Sequence, residues 1–250
     1  MRGRWEPILA LLLAVLAWAA VSRLGGDAAF PGPGEVVAVL SRRAKDGLLW
    51  GAIGLSFRRL LLGYAISLFV GFGVGIAMAG SDAVRRGVGP IVTGLQALPS
   101  VCWLPLGLLW FGLTDAAILF VIVLGSALGV AISVDAGCRN VPPLYIRAAR
   151  TMGASGLVLY RRVILPAAFP EILTGMRLAW AFAWRSLMGA ELLFVAGGLG
   201  HLLETGRELG DLPQVVAVMV VIVALGIASE RVLFDWVEAR LRVRWGRVRA

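Results

Sequence analysis

Apolar stretches recur about six times along this chain, and that repetition constrains the fold more than any other feature. They run at about 6–24, 55–79, 88–112, 115–136, 168–194 and 213–237. Each is close to the roughly 20 residues that carry a helix across a hydrocarbon layer. A soluble domain is about 45–50% apolar. At 59% hydrophobic residues and a mean hydropathy of +0.86, this chain exceeds what one buried core requires. The excess is explained by helices that face lipid. We therefore expect an all-α, polytopic membrane protein with about six transmembrane helices.

The first stretch has a second reading. Arg2 and Arg4 precede the apolar run Ile8 to Val21, and Ala17-Trp18-Ala19 has the form of a cleavage site. That is also how a signal peptide is written. We expect a retained helix, because the later stretches commit the chain to the membrane without it.

Charge sets the orientation. The formal net charge is +9, and Lys45 is the only lysine. With the N-terminus in the cytoplasm, the inner segments hold Arg2, Arg4, Arg85, Arg86, Arg139, Arg147, Arg150, Arg161, Arg162, Arg240, Arg242, Arg244, Arg247 and Arg249. The outer segments hold Arg23, Arg42, Arg43, Lys45 and Arg207. The excess of basic residues inside places both termini in the cytoplasm. Most arginines lie in short segments between apolar runs, which argues against nucleic-acid binding.

Metal and redox chemistry find little support. Cys102 and Cys138 form no metal-binding spacing, and His201 is the lone histidine. No Walker motif, HExxH or Ser/His/Asp set is present, so no catalytic residue and no metal ligand is assigned.

Residues 25–34 hold Pro31, Pro33 and four glycines and read as a loop. Glu35 to Trp50 has mixed charge with Leu and Val at helical spacing, the pattern of a helix at the outer surface. Gly71 and Gly75 form a GxxxG surface for close helix packing. In the third stretch Pro99 and Pro105 flank Ser100, Cys102 and Trp103. Irregular backbone at membrane depth must lie within protein or face a watery cavity. Ser100 and Trp103 are therefore candidate path residues, with a simple helix kink as the alternative. The fifth stretch carries Arg185 and Glu191. A charge at mid-membrane costs about 2.5–3.5 kcal/mol on insertion scales, so each is expected to find a partner on another helix or a cavity. Arg185 suits attraction of an anion. For Glu191 a gating role and a structural hydrogen bond remain open.

The longest cytoplasmic segment lies between the fourth and fifth stretches, at 137–167, and does not have the composition of a loop. Pro142 and Pro143 suit a helix start. Leu144, Ala148, Thr151 and Met152 share one face, and Arg147 and Arg150 another. Gly153 and Gly156 can end the helix in a left-handed conformation. The run Leu157 to Leu165 forms a second helix, and Pro166 is expected to break the chain before the fifth span.

This segment resembles the "EAA" loop of permeases of binding-protein-dependent ABC importers. That loop runs Glu-Ala-Ala, three residues, Gly, nine residues, then Ile-x-Leu-Pro. Here Ala148-Ala149, Gly153 and Val163-Ile164-Leu165-Pro166 keep the spacing, with Arg147 in place of glutamate and Val163 in place of isoleucine. The resemblance covers roughly residues 55–245. It implies a type I importer permease fold of the MetI-like kind, and a loop that docks in a groove of the ATPase. The coupling residues it implies are Arg147, Ala148, Ala149, Gly153, Val163, Leu165 and Pro166. The resemblance divides the chain into residues 1–54, a first helix and periplasmic segment, and 55–250, the permease domain.

Trp184 to Glu191, Gly198-Leu199-Gly200, Leu98-Pro99 and Leu104-Pro105 look like the nitrate, sulfonate, taurine and bicarbonate permeases. That subgroup implies a small, polar, often anionic cargo; related members carry thiamine-precursor or riboflavin-like cargo. The implied partners are separate ABC ATPase subunits, a second copy of this chain as a homodimer, a periplasmic or lipid-anchored binding protein, and membrane lipid. The chain itself would need no cofactor, with ATP and Mg held by the ATPase. The location implied is the inner (cytoplasmic) membrane. The competing reading is a secondary transporter driven by an ion gradient, which also uses broken helices and buried charges. No paired interruptions in two halves support it.

Overall fold

The computed structural model describes residues 5–24, 30–193 and 197–244. Arg2, Arg4, Arg247 and Arg249, residues 25–29 of the expected loop and residue 194 of the fifth stretch lie outside the described residues. Within them the chain is helical, with no strand. Helix α1 spans Glu6–Leu24, α2 Pro33–Lys45, α3 Leu48–Gly80, α4 Asp82–Ala97, α5 Leu104–Phe111 and α6 Asp115–Arg139. Then follow α7 at Pro143–Thr151, α8 at Gly156–Leu159, α9 at Leu165–Leu193, α10 at Leu199–Glu208, α11 at Leu212–Glu230 and α12 at Trp236–Arg244.

Among the described residues, Leu48–Gly80, Asp115–Arg139 and Leu212–Arg240 are long and apolar enough to cross a membrane. The pair Asp82–Ala97 and Ser100–Phe111 makes a fourth if the two are one span. Helices α1 and α9 coincide with the remaining two apolar stretches.

The third stretch departs from its expected form. It is not one helix over 88–112. Helices α4 and α5 are bent by 102° about a short 3-10 turn, Ser100–Trp103. Pro99 is the cause: it disfavours helical geometry at the preceding residue, and Leu98 is extended at φ −76, ψ 127. The surface helix also ends earlier than expected, at Lys45. Gly47 turns the chain with φ +76, and α3 starts at Leu48 rather than 55. Cys138, within the segment expected at 137–167, sits buried in the last turn of α6.

Pro166 makes no break. A π-helical turn, Tyr160–Ile164, joins α8 to α9, and the Leu165 amide donates to Tyr160 O. Proline in a helix interior collides with the carbonyl four residues back. Widening the preceding turn relieves that collision and leaves the helical run unbroken from Gly156 into α9.

The backbone divides into two compact units. The first comprises residues up to Ser56 and Glu191–Leu225. Here Val36 and Val39 of α2 pack on Ala217 of α11, with Trp18 of α1 beside them. Trp18 Nε1 donates to Pro31 O at 3.0 Å. Arg43 donates through Nε (3.1 Å) to Gln214 Oε1, and Gln214 Nε2 donates to Leu202 O (2.9 Å), which ties α2, α11 and α10 together.

The second unit comprises Phe57–Ala190 and the chain from Gly226. Its centre is the face of α3 marked by Gly63, Ser67, Gly71 and Gly75, laid against α6. A Cβ on Gly71 would stand 2.6 Å from Ala127 O, and one on Gly75 2.6 Å from Ala131 O. Ser126 Oγ donates to Ser67 Oγ at 2.7 Å within the same seam. Without a hydrophobic effect between helices in lipid, such close approach supplies the packing energy. At one end of the seam Arg59 is buried and donates to Asp115 at 2.6 Å, where the carboxylate opens α6. A carboxylate at a helix N-terminus is favoured by the helix dipole. Arg177 of α9 pairs with Glu230, Asp235 and Glu238, fastening α9 to the chain that runs from α11 into α12.

Candidate functional site: an exposed knob and a bent helix pair

The segment that carries the spacing motif is built from the proline start onward. Pro142 caps α7 with an extended ψ of 129°, and Pro143 occupies the first helical position, where no amide donor is missed. Gly153 follows the helix with φ +87. Its N–H donates to Arg150 O at 3.0 Å, and the Ala154 N–H reaches back to Ala149 O at 2.9 Å. This pair of bonds is the Schellman motif. The glycine anticipated as a left-handed cap is one. Gly156, with φ +52, opens α8 rather than closing α7.

Ala149 is buried, while Arg147, Ala148, Gly153 and Pro166 are exposed, and Val163 and Leu165 are half-buried. The apolar face of the knob points outward: Leu144 is 71% exposed, Met152 86% and Leu157 72%. The base is held by Asn140, which donates to Glu171 at 2.7 Å, and by Tyr160, whose hydroxyl donates to Ala79 O at 3.0 Å. Burial, with the nearby Cys138 and Asp135, pushes the Tyr160 phenol up from its ordinary value, so it keeps the donated proton.

In the same unit, the bent pair of α4 and α5 borders a cavity of 310 Å³. Its lining includes Gln96, Ser100, Leu124, Phe182 and Arg185. Arg185 is exposed, its Nε donates to Ala181 O at 3.2 Å, and its guanidinium lies over the Phe182 ring at 4.6 Å. Among the described residues no side chain of another helix pairs with Arg185; its one hydrogen bond runs to its own helix. Trp103 and Glu191 do not line this cavity. Of the four path candidates, Ser100 and Arg185 are brought together.

Glu191 belongs to a separate arrangement in the first unit, fully buried. Ser56 Oγ lies 2.7 and 3.0 Å from its oxygens, and the Gly200 amide donates to it at 3.0 Å. Leu199 N donates to Ser56 Oγ at 2.8 Å. The carboxylate therefore sits at the N-terminus of α10, where helix amides and dipole favour it. Gly198 has φ +98, and a Cβ there would strike the carboxylate. On Gly200 it would stand 2.5 Å from Glu191 Cβ. The glycine pair is thus the close-fitting collar of Glu191, a link that sequence spacing did not disclose.

Sequence reading passed over Ser56, Gln96 and the Arg58/Arg59–Asp115 pair. For the last, a signal existed: two arginines inside one apolar run and an aspartate opening another. Among the described residues no three His, Cys, Asp or Glu side chains gather as metal ligands.

Residues 67–243 match the model of the family described as "Binding-protein-dependent transport system inner membrane component". The chain belongs to this family. The permease is 34% identical over 227 residues to the taurine transport system permease protein of Escherichia coli (strain K12), covering 89% of this chain and 82% of that one. It is 30% identical to a putative aliphatic sulfonates transport permease protein of the same organism, over 92% and 88% of the two chains. It is 29% identical to a nitrate import permease protein of Leptolyngbya laminosa, over 73% and 65%. Among solved structures, the methionine ABC transporter in inward-facing conformations aligns at a TM-score of 0.67 and 20% identity, covering 78% of this chain and 96% of that one. An amino acid ABC transporter aligns at 0.65 and 19%, covering 80% and 97%. These likenesses show the MetI-like, all-helical ABC permease fold. The permease is a membrane-embedded transport subunit of an ABC importer, not an enzyme.

Proposed function

We propose that this permease forms, as a homodimer in the inner membrane with both termini cytoplasmic, the path for a small polar anion. Separate ATPase subunits, holding ATP and Mg, dock on the 137–167 segment, and a periplasmic or lipid-anchored binding protein delivers the solute. Residues 1–54 add a first helix and a periplasmic segment to the permease domain at 55–250. The anionic cargo is supported by the taurine, sulfonate and nitrate names of the relatives and by an arginine without a carboxylate partner beside the broken span.

The observation that carries the coupling reading is the knob's outward apolar face, held in shape by Gly153. A surface with Leu144, Met152 and Leu157 exposed outside the lipid is suited to a protein groove. A side chain at a left-handed position costs about 1–2 kcal/mol. That strain leaves the fold intact but turns α8 and misplaces the knob. Gly153→Val should therefore give a membrane-inserted permease that retains its ATPase poorly in pull-down, with stimulated hydrolysis and uptake falling together. Arg147→Glu, which restores the residue usual in the motif, should be milder. Undiminished pull-down of the Gly153→Val variant at matched expression would remove the coupling reading.

A further inference from the structure

A different cavity, of 830 Å³, runs along α4 within the second unit. One stripe of α4 lines it: Arg86, Gly89, Pro90, Thr93, Gly94 and Ala97, at the three- and four-residue spacing of a single helix face. Met78 of α3 and Ile132 of α6 supply apolar lining. The stripe is open: a Cβ on Gly94 would meet nothing within 4 Å, and one on Gly89 would meet Met78 Cε at 3.8 Å and Arg85 Cγ at 3.9 Å. Arg85 and Asp135 line the same cavity, and each keeps a polar atom shut off from solvent without a hydrogen bond, Nε of Arg85 and Oδ1 of Asp135. Arg85 Nε lies 3.8 Å from Asp82 Oδ1, too far for a hydrogen bond. No ion pair joins Arg85 to Asp135 among the described residues. Buried polar atoms ordinarily have partners, so two orphans of opposite sign on one cavity call for a ligand that answers both.

We propose that this groove binds an aminophospholipid, with the phosphate on Arg85 and Arg86, the primary ammonium on Asp135 and an acyl chain beside Gly94 and Ala97. A bare anion or an anionic lipid would leave the Asp135 carboxylate unpaired and be repelled by it. A cation would leave the arginines unanswered. The planar arginine fork matches two phosphate oxygens, and a primary ammonium carries three donors, whereas a choline headgroup carries none. Basic pockets between membrane helices take lipid headgroups. Length separates a lipid from a soluble zwitterion. From Arg85 to Ala97 the groove follows α4 for about 18 Å, more than a headgroup covers, and its far end at Gly94 and Ala97 holds no charge. Val84, Ile91 and Leu95 of α4 are exposed beside it, an apolar surface suited to hydrocarbon.

The test is native mass spectrometry of the delipidated full-length permease, titrated with dioleoyl phosphatidylethanolamine, phosphatidylcholine or phosphatidylglycerol. Phosphatidylethanolamine should be retained at about tenfold lower concentration than either of the others, the value of a hydrogen bond to a charged group. Asp135→Asn should raise the phosphatidylethanolamine requirement about tenfold and lower that for phosphatidylglycerol, an exchange of preference that general loss of structure cannot produce. Asp135→Glu, which keeps the charge, should retain the parent's order. Arg85→Gln with Arg86→Gln should weaken phosphatidylethanolamine and phosphatidylglycerol together, and Gly94→Leu, which fills the groove, should weaken all three lipids. Free O-phosphoethanolamine should not displace the lipid. Equal retention of phosphatidylethanolamine and phosphatidylcholine, or an Asp135→Asn variant that loses phosphatidylethanolamine and phosphatidylglycerol alike, would overturn the proposal. Displacement by O-phosphoethanolamine would overturn it in favour of a soluble zwitterion. Disulfide cross-linking of two copies through Thr93→Cys in a Cys102→Ser background, with phosphatidylethanolamine in excess, would overturn it in favour of a second copy of this chain.

Discussion

Arg185 and Glu191 lie six residues apart on one helix and do different work. Both were visible in the sequence as charges inside an apolar run. Helical spacing shows which residues share a face, but not which face meets another helix. Glu191 meets α3 and α10, whereas Arg185 borders a cavity and braces itself on its own helix. Two predictions follow the difference. Glu191→Ala leaves the Ser56 hydroxyl and the Gly200 amide facing a void, and a buried polar group left unsatisfied costs about 1–3 kcal/mol. The purified variant should melt at a lower temperature than the parent, with Glu191→Gln intermediate; an unchanged melting temperature would show that the carboxylate is not structural. Arg185→Gln should instead leave melting and subunit assembly intact while uptake falls about tenfold or more, as loss of a charged hydrogen bond implies. Gln96 and Ser56 were not legible beforehand, because a single amide or hydroxyl in an apolar run carries no periodic signal.

Helices were the most legible level, and the prolines its least. Two prolines had similar sequence settings and opposite outcomes. Pro99 bends the chain by 102° because Leu98 leaves the helix. Pro166 leaves the helical run unbroken because a π turn precedes it. A one-dimensional reading identifies the missing amide donor in both but not whether the preceding turn can widen. The seam between α3 and α6 was legible from Gly71 and Gly75, and it separates necessary from incidental glycines. A Cβ on Gly75 would meet Ala131 O and Val134, whereas one on Gly73 meets nothing within 4 Å. Gly75→Val should destabilise by about 1–3 kcal/mol, as overpacking does. Gly73→Val should be tolerated. Equal yields and equal melting temperatures for the two variants would show that the seam is not closely packed.

For the whole molecule, the basic segments predict a definite orientation, independent of helix packing. In right-side-out vesicles a cysteine at Ser155 should react only after the cytoplasmic face is opened, and one at Glu204 from outside. Reaction of the Ser155 position from outside would invert the topology and take the knob away from any ATPase. The family was legible from the spacing Ala148-Ala149, Gly153 and Leu165-Pro166, which this chain keeps even though Arg147 stands where the motif has glutamate. Division of labour between this chain and a separate motor is the central claim. Its most direct test is uptake into proteoliposomes, comparing the permease alone under an imposed ion gradient with the permease plus its ATPase, binding protein and ATP. The account predicts accumulation only in the second case, abolished when ATP is withheld. Accumulation by the lone permease on the ion gradient would contradict it and make this chain a secondary transporter.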